Sequence, residues 1–250
     1  MLSQDRLDEI TRLVNRDGSA TVLQLAQALD TSESTIRRDL LQLDKIGKIR
    51  KVHGGATATT QMSPTQERNM QEKYRSNIEE KRTIAAYAAT LIHPFDLVFI
   101  DSGSTTEQLA EYIEEKDAMY VTNGITLAQK LAARGFKTML IPGMVKTTTD
   151  AVIGGETIAF LEHYHFSIGF FGVNGITTDA GYTTPDIEEA RNKRTALKHC
   201  RASYVLADTS KFNFLSSVTF GNLEEAAIIT VGRNSSVLTK YKEHTEVIEL

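Results

Sequence analysis

The segment from Thr31 to Ala56, TSESTIRRDLLQLDKIGKIRKVHGGA, constrains the fold of this 250-residue chain more than any other. Ile36, Leu40 and Leu43 recur at i, i+4 and i+7, which is the spacing of one face of an amphipathic helix. Thr31 or Ser32 stands where a side-chain oxygen would cap the first turn. The sequence therefore predicts a helix that buries one side against other elements.

The opposite face of this predicted helix is polar. It carries Ser34, Arg38 and Gln42, with Thr35 and Arg37 on its flanks. Gly47 is expected to end the helix, Lys48 to Val52 to form a short basic strand, and His53-Gly54-Gly55 to turn the chain back. A polar helix followed by a basic hairpin is typical of a recognition helix and its wing, although a solvated amphipathic helix would show the same face.

Two further helices are predicted upstream, the first ended by Gly18 and the second capped by Thr21. Their apolar stripes consist of Leu7, Ile10, Leu13 and Val14 in the first helix and Val22, Leu25, Ala26 and Leu29 in the second. Three short helices closed by a basic hairpin form a winged helix-turn-helix, which binds duplex DNA. The residues predicted to contact DNA are Thr21, Ser32, Ser34, Thr35, Arg37, Arg38, Gln42, Lys48, Arg50, Lys51 and His53.

The distribution of charge supports the same interpretation. The formal net charge of the chain is −4, yet Lys and Arg outnumber Asp and Glu by six to three between Thr31 and Ala56. A local basic surface on an acidic body suits a protein that touches nucleic acid through one small face. The single cysteine, Cys200, allows no intramolecular disulfide, and neither a signal peptide nor a membrane-spanning run is recognisable. We therefore expect a soluble, cytoplasmic protein that has no contact with a membrane.

Composition and periodicity change after residue 56. Residues 57–76 lack an apolar period and are predicted to form a linker, which leaves 1–56 as the DNA-binding domain and 77–250 as a second domain. The strands predicted in that domain are Leu97–Ile100, Met119–Thr122, Met139–Pro142, Ile168–Val173, Tyr204–Ala207, Ile228–Val231 and Glu246–Leu250. The predicted helices are Ile78–Ile92, Thr106–Glu115, Ile125–Ala133, Glu156–Glu162, Glu188–Arg201 and Ser235–Lys240. This alternation predicts an α/β fold with a mostly parallel sheet, at whose carboxyl edge ligands bind.

Polar residues follow the first predicted strand of this domain, at Asp101-Ser102-Gly103-Ser104-Thr105-Thr106. The glycine lets a ligand approach the backbone, and the amides and hydroxyls after it would lie at a helix amino terminus, where an anion is stabilised. The segment lacks the lysine of a nucleotide P-loop and the three glycines of a dinucleotide-binding turn, so ATP and NAD are poor candidates. It is interpreted as a phosphate cradle, although a simple helix cap would use the same residues.

Other strand ends are expected to meet this cradle. Loops that contain glycine or asparagine follow at Thr122-Asn123-Gly124, Gly154-Gly155-Glu156 and Gly172-Val173-Asn174-Gly175. Charged candidates lie around the start of a predicted helix and after a later strand: Asp186, Glu188, Glu189, Lys193, Arg194, Asp208 and Lys211. Glu189 and Lys193 have the i, i+4 spacing of a helix-surface ion pair, whereas Lys211 follows a strand and is favoured as a phosphate partner.

Several of these segments recur together in a known family. They are Ser34-Thr35-Ile36-Arg37-Arg38-Asp39-Leu40, Gly47, Val52-His53-Gly54-Gly55-Ala56, Asp101 to Thr106, Thr122-Asn123, Gly172-x-Asn174-Gly175, Glu189-x3-Lys193 and Leu206 to Phe212. Over nearly its full length the chain resembles the DeoR/GlpR family of bacterial transcriptional regulators. The resemblance implies an operator-binding domain joined to a sensor similar to ribose-5-phosphate isomerase, used for binding and not for turnover. Met144 departs from the family pattern, in which many members carry a second glycine after Gly143, so that loop is left out of the site.

These observations favour a transcriptional repressor of a sugar-utilisation operon that a phosphorylated sugar releases from DNA. The predicted effector-binding residues are Asp101, Ser102, Gly103, Ser104, Thr105, Thr106, Asn123, Gly172, Asn174, Glu189 and Lys211. Residues Gly181 to Asp186 resemble members that respond to fructose phosphates, so fructose or tagatose phosphate is favoured as effector. No cofactor, metal or catalytic residue is predicted, and paired half-sites imply a homodimer or larger homo-oligomer. Two alternatives stay open: an isomerase-like enzyme with an accessory DNA-binding domain, and a transcriptional activator.

Overall fold

The structure is a computed structural model that describes residues 3–45, 48–58, 70–232 and 236–250. The chain divides into two compact units, residues 1–63 and 64–250. Gly47, predicted to end the third helix, lies outside the described residues, as does most of the predicted linker 57–76. Both ends of that linker are regular structure, because Thr57 and Ala58 belong to a strand and Met70–Arg75 form a helix.

The N-terminal unit is the predicted winged helix-turn-helix. Its helices are α1 (Ser3–Asp17), α2 (Val22–Ala28) and α3 (Glu33–Lys45), and its strands are β1 (Ser19–Thr21), β2 (Ile49–Val52) and β3 (Gly55–Ala58). β2 and β3 form the predicted hairpin, and β1 pairs with the other edge of β3, both pairs being antiparallel. The sequence does not predict β1, because the 3 residues Ser-Ala-Thr are too few to show a period.

Two details of the wing differ from the prediction. The first strand begins at Ile49 and not at Lys48, and Gly55 belongs to β3, so that the turn consists of His53 and Gly54. Gly54 has a φ of +84°, a conformation that favours glycine. At Gly55 a Cβ atom would lie 2.3 Å from the carbonyl oxygen of Ala20, so a larger residue would push β1 away from the wing.

The core of this unit is built from the predicted apolar stripes. The buried side chains include Leu7, Ile10, Leu13, Val14, Val22, Leu25, Ala26, Ile36, Leu40 and Leu43, and Leu29 packs against them partly exposed. Asp39, on the inner side of α3, is also buried, and its Oδ2 lies 2.6 Å from Nε of Arg6 on α1. The ion pair and the apolar contacts fix the inner face of α3, which leaves its opposite face exposed.

The C-terminal unit is an α/β domain. Its helices are α4 (Met70–Arg75), α5 (Ile78–Ala89), α6 (Leu109–Tyr112), α7 (Ile125–Ala133), α8 (Gly155–Leu161), α9 (Ile187–Lys198) and α10 (Ser236–Lys242), with 3-10 turns at Thr106–Gln108, Thr209–Lys211 and Leu223–Glu225. Its strands are β4 (Leu97–Ile100), β5 (Met119–Thr122), β6 (Lys137–Leu140), β7 (Met144–Lys146), β8 (Ala151–Ile153), β9 (Phe166–Gly172), β10 (Gly175–Thr177), β11 (Gly181–Thr184), β12 (Cys200–Leu206), β13 (Val218–Gly221), β14 (Ala227–Thr230) and β15 (Val247–Glu249). A 7-stranded parallel sheet has the order β15-β14-β12-β9-β4-β5-β6. The other strands form the antiparallel pair β7-β8 and the antiparallel group β10-β11-β13.

The parallel sheet has an apolar core on each face, which confirms the predicted α/β class. On β4, Phe99 belongs to one core, while Val98 and Ile100 belong to the other. Strands that are buried on both faces appear in sequence as continuous apolar runs. For this reason β4 and β5 have the same bounds in the structure as in the prediction.

Other predicted elements are displaced or shortened. The strand predicted at 139–142 is β6, at Lys137–Leu140, and the helix predicted at 106–115 is a 3-10 turn followed by the 4 residues of α6. α9 ends at Lys198, so Cys200 and Arg201 belong to β12 and not to the helix. The sequence predicts none of β7, β8, β10, β11 and β13. β11 shows why, since Thr183 and Thr184 are fully buried although their polar side chains suggest a loop.

Candidate functional site

The exposed face of α3 carries the predicted recognition residues. Ser34, Arg37, Arg38 and Gln42 are exposed, and Thr35 is half-buried. Ser32 caps the helix, since its Oγ accepts the Thr35 amide at 3.3 Å. The same oxygen lies 2.9 Å from the hydroxyls of both Ser34 and Thr35. Of the two predicted caps the structure therefore selects Ser32, and hydroxyl groups cluster at the amino end of α3.

The cations of this unit divide into paired and unpaired side chains. Arg37 pairs with Glu33 at 2.6 Å and Lys48 with Asp8 at 3.2 Å, and these side chains are largely solvent-exposed. Four exposed cations have no ion partner within residues 3–45 and 48–58: Arg38, Lys45, Arg50 and Lys51. Because Arg38 and Lys45 lie on α3 and the other two on β2, both the helix and the wing offer a cation to a phosphate.

Two other predicted DNA-binding residues lie at the ends of elements. Thr21 caps α2, and its Oγ1 accepts the amide of Gln24 at 3.2 Å, while Oε1 of Gln24 accepts the Thr21 amide at 2.9 Å. This capping box uses the Thr21 hydroxyl, although the side chain is exposed. His53 is exposed in the turn of the wing. Contact of either residue with DNA stays a prediction.

In the C-terminal unit, the residues after β4 meet the ends of β5 and β9. The Ser102 amide donates to Oδ1 of Asn123 at 2.7 Å, and Nδ2 of Asn123 donates to Oγ of Ser102 at 3.3 Å. Asp101 is buried, and its carboxylate accepts the amide of Gly172 at 3.0 Å. The structure thus brings four of the predicted effector-binding residues together at the carboxyl edge of the sheet.

The loop from Gly103 to Thr106 differs in part from the predicted cradle. Thr106 is fully buried, and its hydroxyl donates to the carbonyl oxygen of Gly103 at 3.0 Å, so it stabilises the loop and is not available to a ligand. Within the described residues, no hydrogen bond uses the amides of Gly103, Ser104 and Thr105 or the hydroxyls of Ser104 and Thr105. The Ser104 and Thr105 side chains are buried, and contact of these donors with an anion stays a prediction.

Lys193 is a central residue that the predicted site omits. It is buried on α9, and its Nζ donates to the Asp101 carboxylate and, at 3.2 Å, to the carbonyl oxygen of Gly172. The expected surface ion pair between Glu189 and Lys193 is therefore wrong. The sequence does contain a signal, because Glu189, Asn192 and Lys193 share a helical face with Ala196, and all four are buried. Polar residues in an otherwise apolar stripe indicate a buried polar network.

Glu189 belongs to a second buried group on the same helix. Its Oε1 accepts from Nζ of Lys146 at 2.8 Å and from Oγ1 of Thr149 at 2.6 Å. Lys146 also lies 3.1 Å from Asp186, whose side chain caps the first turn of α9. These contacts tie the β7–β8 hairpin to α9, so Glu189 has a structural role in addition to its predicted contact with an effector.

Burial and neighbouring charges act in opposite directions on these carboxyl groups. Burial raises the pKa of Asp101, and the adjacent Lys193 opposes that change. Burial also acts to raise the pKa of Glu189, but the charges of Lys193 and Lys146 outweigh it and hold that pKa below its usual value. Because the neighbouring lysines compensate them, both carboxyl groups can remain buried and hold the backbone around β4 and β7 in place.

Two predicted residues make no contact with this cluster in the described part of the chain. Nζ of Lys211 lies 3.8 Å from the buried Asp208, on the loop after β12, a strand two positions from β4 in the sheet. Asn174 follows β9, and its Oδ1 accepts the hydroxyl of Thr184 at 3.2 Å. Both lie at the carboxyl edge of the sheet, and their contact with an effector stays a prediction.

Helix α4, which the sequence assigns to the linker, lies against the loop after β4. Tyr74 donates a hydrogen bond to the buried Glu107, which also pairs with Lys130 at 2.8 Å. A narrow cleft of about 10 Å³ is lined by Met70, Ser102, Gly103, Glu107, Gly124, Leu127, Thr149 and Asp150. Asn77, just before α5, donates to Asp208 at 2.8 Å. The corner between α4 and α5 therefore touches the loops after both β4 and β12.

The described residues contain neither a membrane span nor a metal centre. In the ranges 3–45, 48–58, 70–232 and 236–250, no helix has both the length and the apolar composition that a span requires. The same ranges hold no group of three or more His, Cys, Asp and Glu side chains placed to share an ion.

Comparison with known proteins gives two family models and full-length relatives. The model of the DeoR-like helix-turn-helix domain matches residues 6–62, and that of the DeoR C terminal sensor domain matches residues 76–233. A protein of Bacillus subtilis described as the uncharacterized HTH-type transcriptional regulator FruR is 36% identical over 248 residues, 99% of this chain and 98% of that protein. The lactose phosphotransferase system repressor of Staphylococcus epidermidis is 35% identical over 252 residues, 99% of this chain and 100% of that protein.

Solved structures with a similar arrangement are more distant. Ribose 5-phosphate isomerase A of Methanocaldococcus jannaschii is 14% identical, with a TM-score of 0.39 and coverage of 55% of each chain. The translation initiation factor eIF-2B of Pyrococcus horikoshii OT3 is 18% identical, with a TM-score of 0.44 and coverage of 86% of this chain and 81% of that one. Neither similarity supports a conclusion about activity. The two family models and the full-length relatives show that the chain belongs to the DeoR family of helix-turn-helix transcriptional regulators.

Proposed function

We propose that this regulator represses a sugar-utilisation operon in the cytoplasm. It binds operator DNA through α3 and the β2–β3 wing, and a phosphorylated sugar held after β4 releases it. The observation that carries the proposal is the set of exposed cations Arg38, Arg50 and Lys51, which lack an ion partner in the described part of their unit although the chain as a whole has a net charge of −4.

The DNA-binding step follows from the shape and charge of the N-terminal unit. An α-helix fits the major groove of B-DNA, where side chains such as Arg38 reach the edges of bases. Arg50 and Lys51 on β2 supply phosphate contacts beside the helix, and such contacts fix the register of the protein on the duplex. Since one unit reads one half-site, we propose that two or more chains assemble to read paired half-sites.

The effector site is proposed at the loop after β4. The free amides of Gly103, Ser104 and Thr105 would hold the phosphate, because consecutive backbone N–H groups form a concave anion site. The pair of Asp101 and Lys193 holds the start of this loop in place. Asn123, Asn174 and Glu189 are proposed to recognise hydroxyl groups of the sugar, with Lys211 as a second cation.

The class of sugar is proposed from two sources. The segment Gly181 to Asp186 resembles members of the family that respond to fructose phosphates, and Asp186 reaches the polar network through Lys146. One full-length relative is named as a repressor of the lactose phosphotransferase system. We therefore favour a fructose or tagatose phosphate as the effector, and repression over activation.

We propose that binding of the effector acts on the DNA-binding unit through α4. α4 is the first described helix after the connection between the two units, and it touches the proposed effector loop through Tyr74 and Glu107. A ligand that moves the loop after β4 would therefore move the helix to which the connection is attached. A difference in affinity of about 1 to 3 kcal/mol between two arrangements changes occupancy of the operator by one to two orders of magnitude.

Release of a selected duplex tests this function. The full-length chain is used to select duplexes from a random-sequence pool, and the bound duplex is then titrated with fructose and tagatose phosphates. The phosphorylated sugars are expected to release the duplex, while unphosphorylated fructose and inorganic phosphate leave it bound. Enrichment of no duplex would refute DNA binding, and binding that no sugar phosphate changes would refute the effector class. Deletion of the gene separates the two regulatory signs, because a repressor raises and an activator lowers expression of the bound operon when it is lost.

A further inference from the structure

One apolar side chain lies in the middle of the polar face of α3. Leu41 is 56% exposed, whereas Ile36, Leu40 and Leu43 on the inner face of the same helix are fully buried. At about 100° per residue, Leu41 lies roughly 20° from Ser34, roughly 40° from Lys45 and roughly 60° from Arg38 around the helix axis. The leucine is therefore surrounded by polar and cationic side chains and belongs to the surface proposed to enter the groove.

Packing within the N-terminal unit does not explain this position. The core of that unit uses the opposite face of α3, and the core cluster of its described residues does not include Leu41. A single exposed leucine is common on protein surfaces and needs no explanation by itself. What distinguishes Leu41 is its place among Ser34, Arg38 and Lys45, where a duplex would cover it.

The charge around Leu41 identifies its partner. Arg38 and Lys45 are exposed on the same face and have no ion partner among residues 3–45 and 48–58, so the surface is complementary to a polyanion and not to an apolar surface of another protein. In the major groove, hydrogen-bond donors and acceptors are presented by all four base pairs, but thymine alone presents a methyl group, at C5. A leucine side chain can form no hydrogen bond, and the thymine methyl group is the part of the groove that it fits.

We propose that Leu41 determines sequence specificity by packing against the C5-methyl group of a thymine in each operator half-site. The proposal rests on the proposed function, since it assumes that α3 enters the major groove. With a rise of about 1.5 Å per residue, Leu41 lies about 4.5 Å along the helix axis from Arg38. The thymine is therefore expected close to the base pair that Arg38 contacts, because both side chains lie on one face of α3 within about one helical turn.

Removal of single methyl groups tests this contact. A duplex selected by the full-length chain is resynthesised with each thymidine replaced in turn by deoxyuridine, which removes the C5-methyl group and keeps every hydrogen-bonding group. At one thymine of each half-site, the unmodified protein is expected to lose affinity about three- to fivefold, the factor expected when one methyl group is no longer buried. Leu41→Ala is expected to bind the thymine duplex less tightly and to show no further loss at that position with deoxyuridine.

Leu23→Ala is the matched control. Leu23 is 55% exposed, but it lies on α2 and not on the face of α3. Its replacement is expected to leave the dependence on the methyl group unchanged. Alanine is a favourable helix residue, and neither leucine belongs to the core, so both variants are expected to fold.

The outcomes separate this proposal from the function on which it rests. If the selected duplex binds but no thymine is sensitive to loss of its methyl group, Leu41 does not read thymine. If a sensitive thymine remains equally sensitive in Leu41→Ala, another residue makes the contact. Failure to select any duplex would overturn the proposed function and this contact together.

Discussion

The two units of this chain place their charged side chains in opposite ways. In the N-terminal unit, Arg38, Arg50 and Lys51 are exposed and have no ion partner among its described residues. In the C-terminal unit, Lys193 is buried and paired with Asp101. An exposed cation costs the protein little and remains available to an external anion, whereas a buried cation requires an internal partner. The first arrangement prepares a surface for binding, and the second fixes the shape of a loop.

This difference predicts that substitutions of the two kinds of cation have different consequences, one for DNA binding and the other for stability. Loss of an exposed cation is expected to weaken DNA binding and leave the fold intact. Loss of a buried partner is expected to destabilise the C-terminal unit, because it leaves an uncompensated charge.

The largest effect is expected from Lys193→Met. The substitution leaves Asp101 buried without its cation, and breaking a buried ion pair costs about 3 to 5 kcal/mol. Chemical denaturation followed by tyrosine fluorescence measures this loss in the C-terminal unit alone. The chain contains no tryptophan, and its 8 tyrosines all lie beyond residue 70.

Two further variants keep this prediction testable. The double variant Asp101→Asn, Lys193→Met removes both charges, and it is expected to recover much of the lost stability. Lys211→Met removes a partly exposed cation 3.8 Å from Asp208, and it is expected to cost about 1 kcal/mol or less. Equal losses in Lys193→Met and Lys211→Met would show that burial does not distinguish the two lysines.

The second effect concerns Arg38 on the exposed face of α3. Arg38→Ala is expected to weaken binding to a selected duplex by about 1 to 3 kcal/mol if the guanidinium contacts a base. If the guanidinium contacts a phosphate instead, affinity falls equally for all duplex sequences. The slope of log affinity against log salt concentration then becomes smaller by about one. Arg37→Ala is the control, because Arg37 already pairs with Glu33 and its removal is expected to cost less. Unchanged affinity of Arg38→Ala would show that α3 is not the recognition helix.

The sequence predicts these two units unequally, and the range of the contacts explains why. In the N-terminal unit, the helical spacing of Ile36, Leu40 and Leu43 is a local property, and it identifies the exposed face of α3 directly. In the C-terminal unit, Asp101 and Lys193 are separated by 92 positions, so no local pattern pairs them. The i, i+4 spacing of Glu189 and Lys193 instead suggests a surface pair that the fold does not form.

The sequence misses β11 for the same physical reason. β4 lies between two apolar cores, and its sequence Leu-Val-Phe-Ile shows this without knowledge of the fold. β11 is buried as well, but its residues are polar. The hydroxyl of Thr183 donates to the carbonyl oxygen of Gly175 and accepts the amide of Ser216, so it is fully hydrogen-bonded inside the protein. A polar strand that is satisfied by distant partners resembles a loop in sequence. The predicted loops after β4, β5 and β9 were brought together because parallel strands align their carboxyl ends at one edge.

A smaller effect is expected from Thr105→Val in the proposed effector loop. The two side chains have nearly the same shape, and the Thr105 hydroxyl has no hydrogen-bond partner among the described residues, so the fold is expected to tolerate the change. Loss of one hydrogen bond to a ligand is expected to cost about 0.5 to 1.5 kcal/mol in affinity for the sugar phosphate, measured by calorimetry. Affinity for the duplex alone is expected to stay the same. Thr209→Val, on the loop after β12, is the control, and a loss of effector affinity in that variant but not in Thr105→Val would place the phosphate elsewhere.

The smallest effect concerns Asp186, which both caps α9 and pairs with Lys146 at 3.1 Å. Burial acts to raise the pKa of Asp186, but hydrogen bonds from the Glu189 and Glu188 amides and the charge of Lys146 outweigh it and lower that pKa. A carboxyl group whose pKa is lowered by folding contributes stability above its ordinary pKa of about 4, and that contribution is lost as the pH falls further. Asp186→Asn keeps a capping side chain and removes the charge, so it is expected to cost about 1 kcal/mol or less at neutral pH.

The pH dependence of this difference separates the ion pair from the cap. Melting temperatures of the unmodified chain and of Asp186→Asn are expected to converge as the pH is lowered below about 4, because protonated aspartic acid and asparagine are both neutral. Asp186→Ala loses the cap as well as the charge, so its difference from the unmodified chain is expected to persist at low pH. If the Asn variant stays less stable by the same amount at every pH, the Lys146 pair contributes nothing. The contrast between exposed and buried lysines would then rest on Lys193 alone.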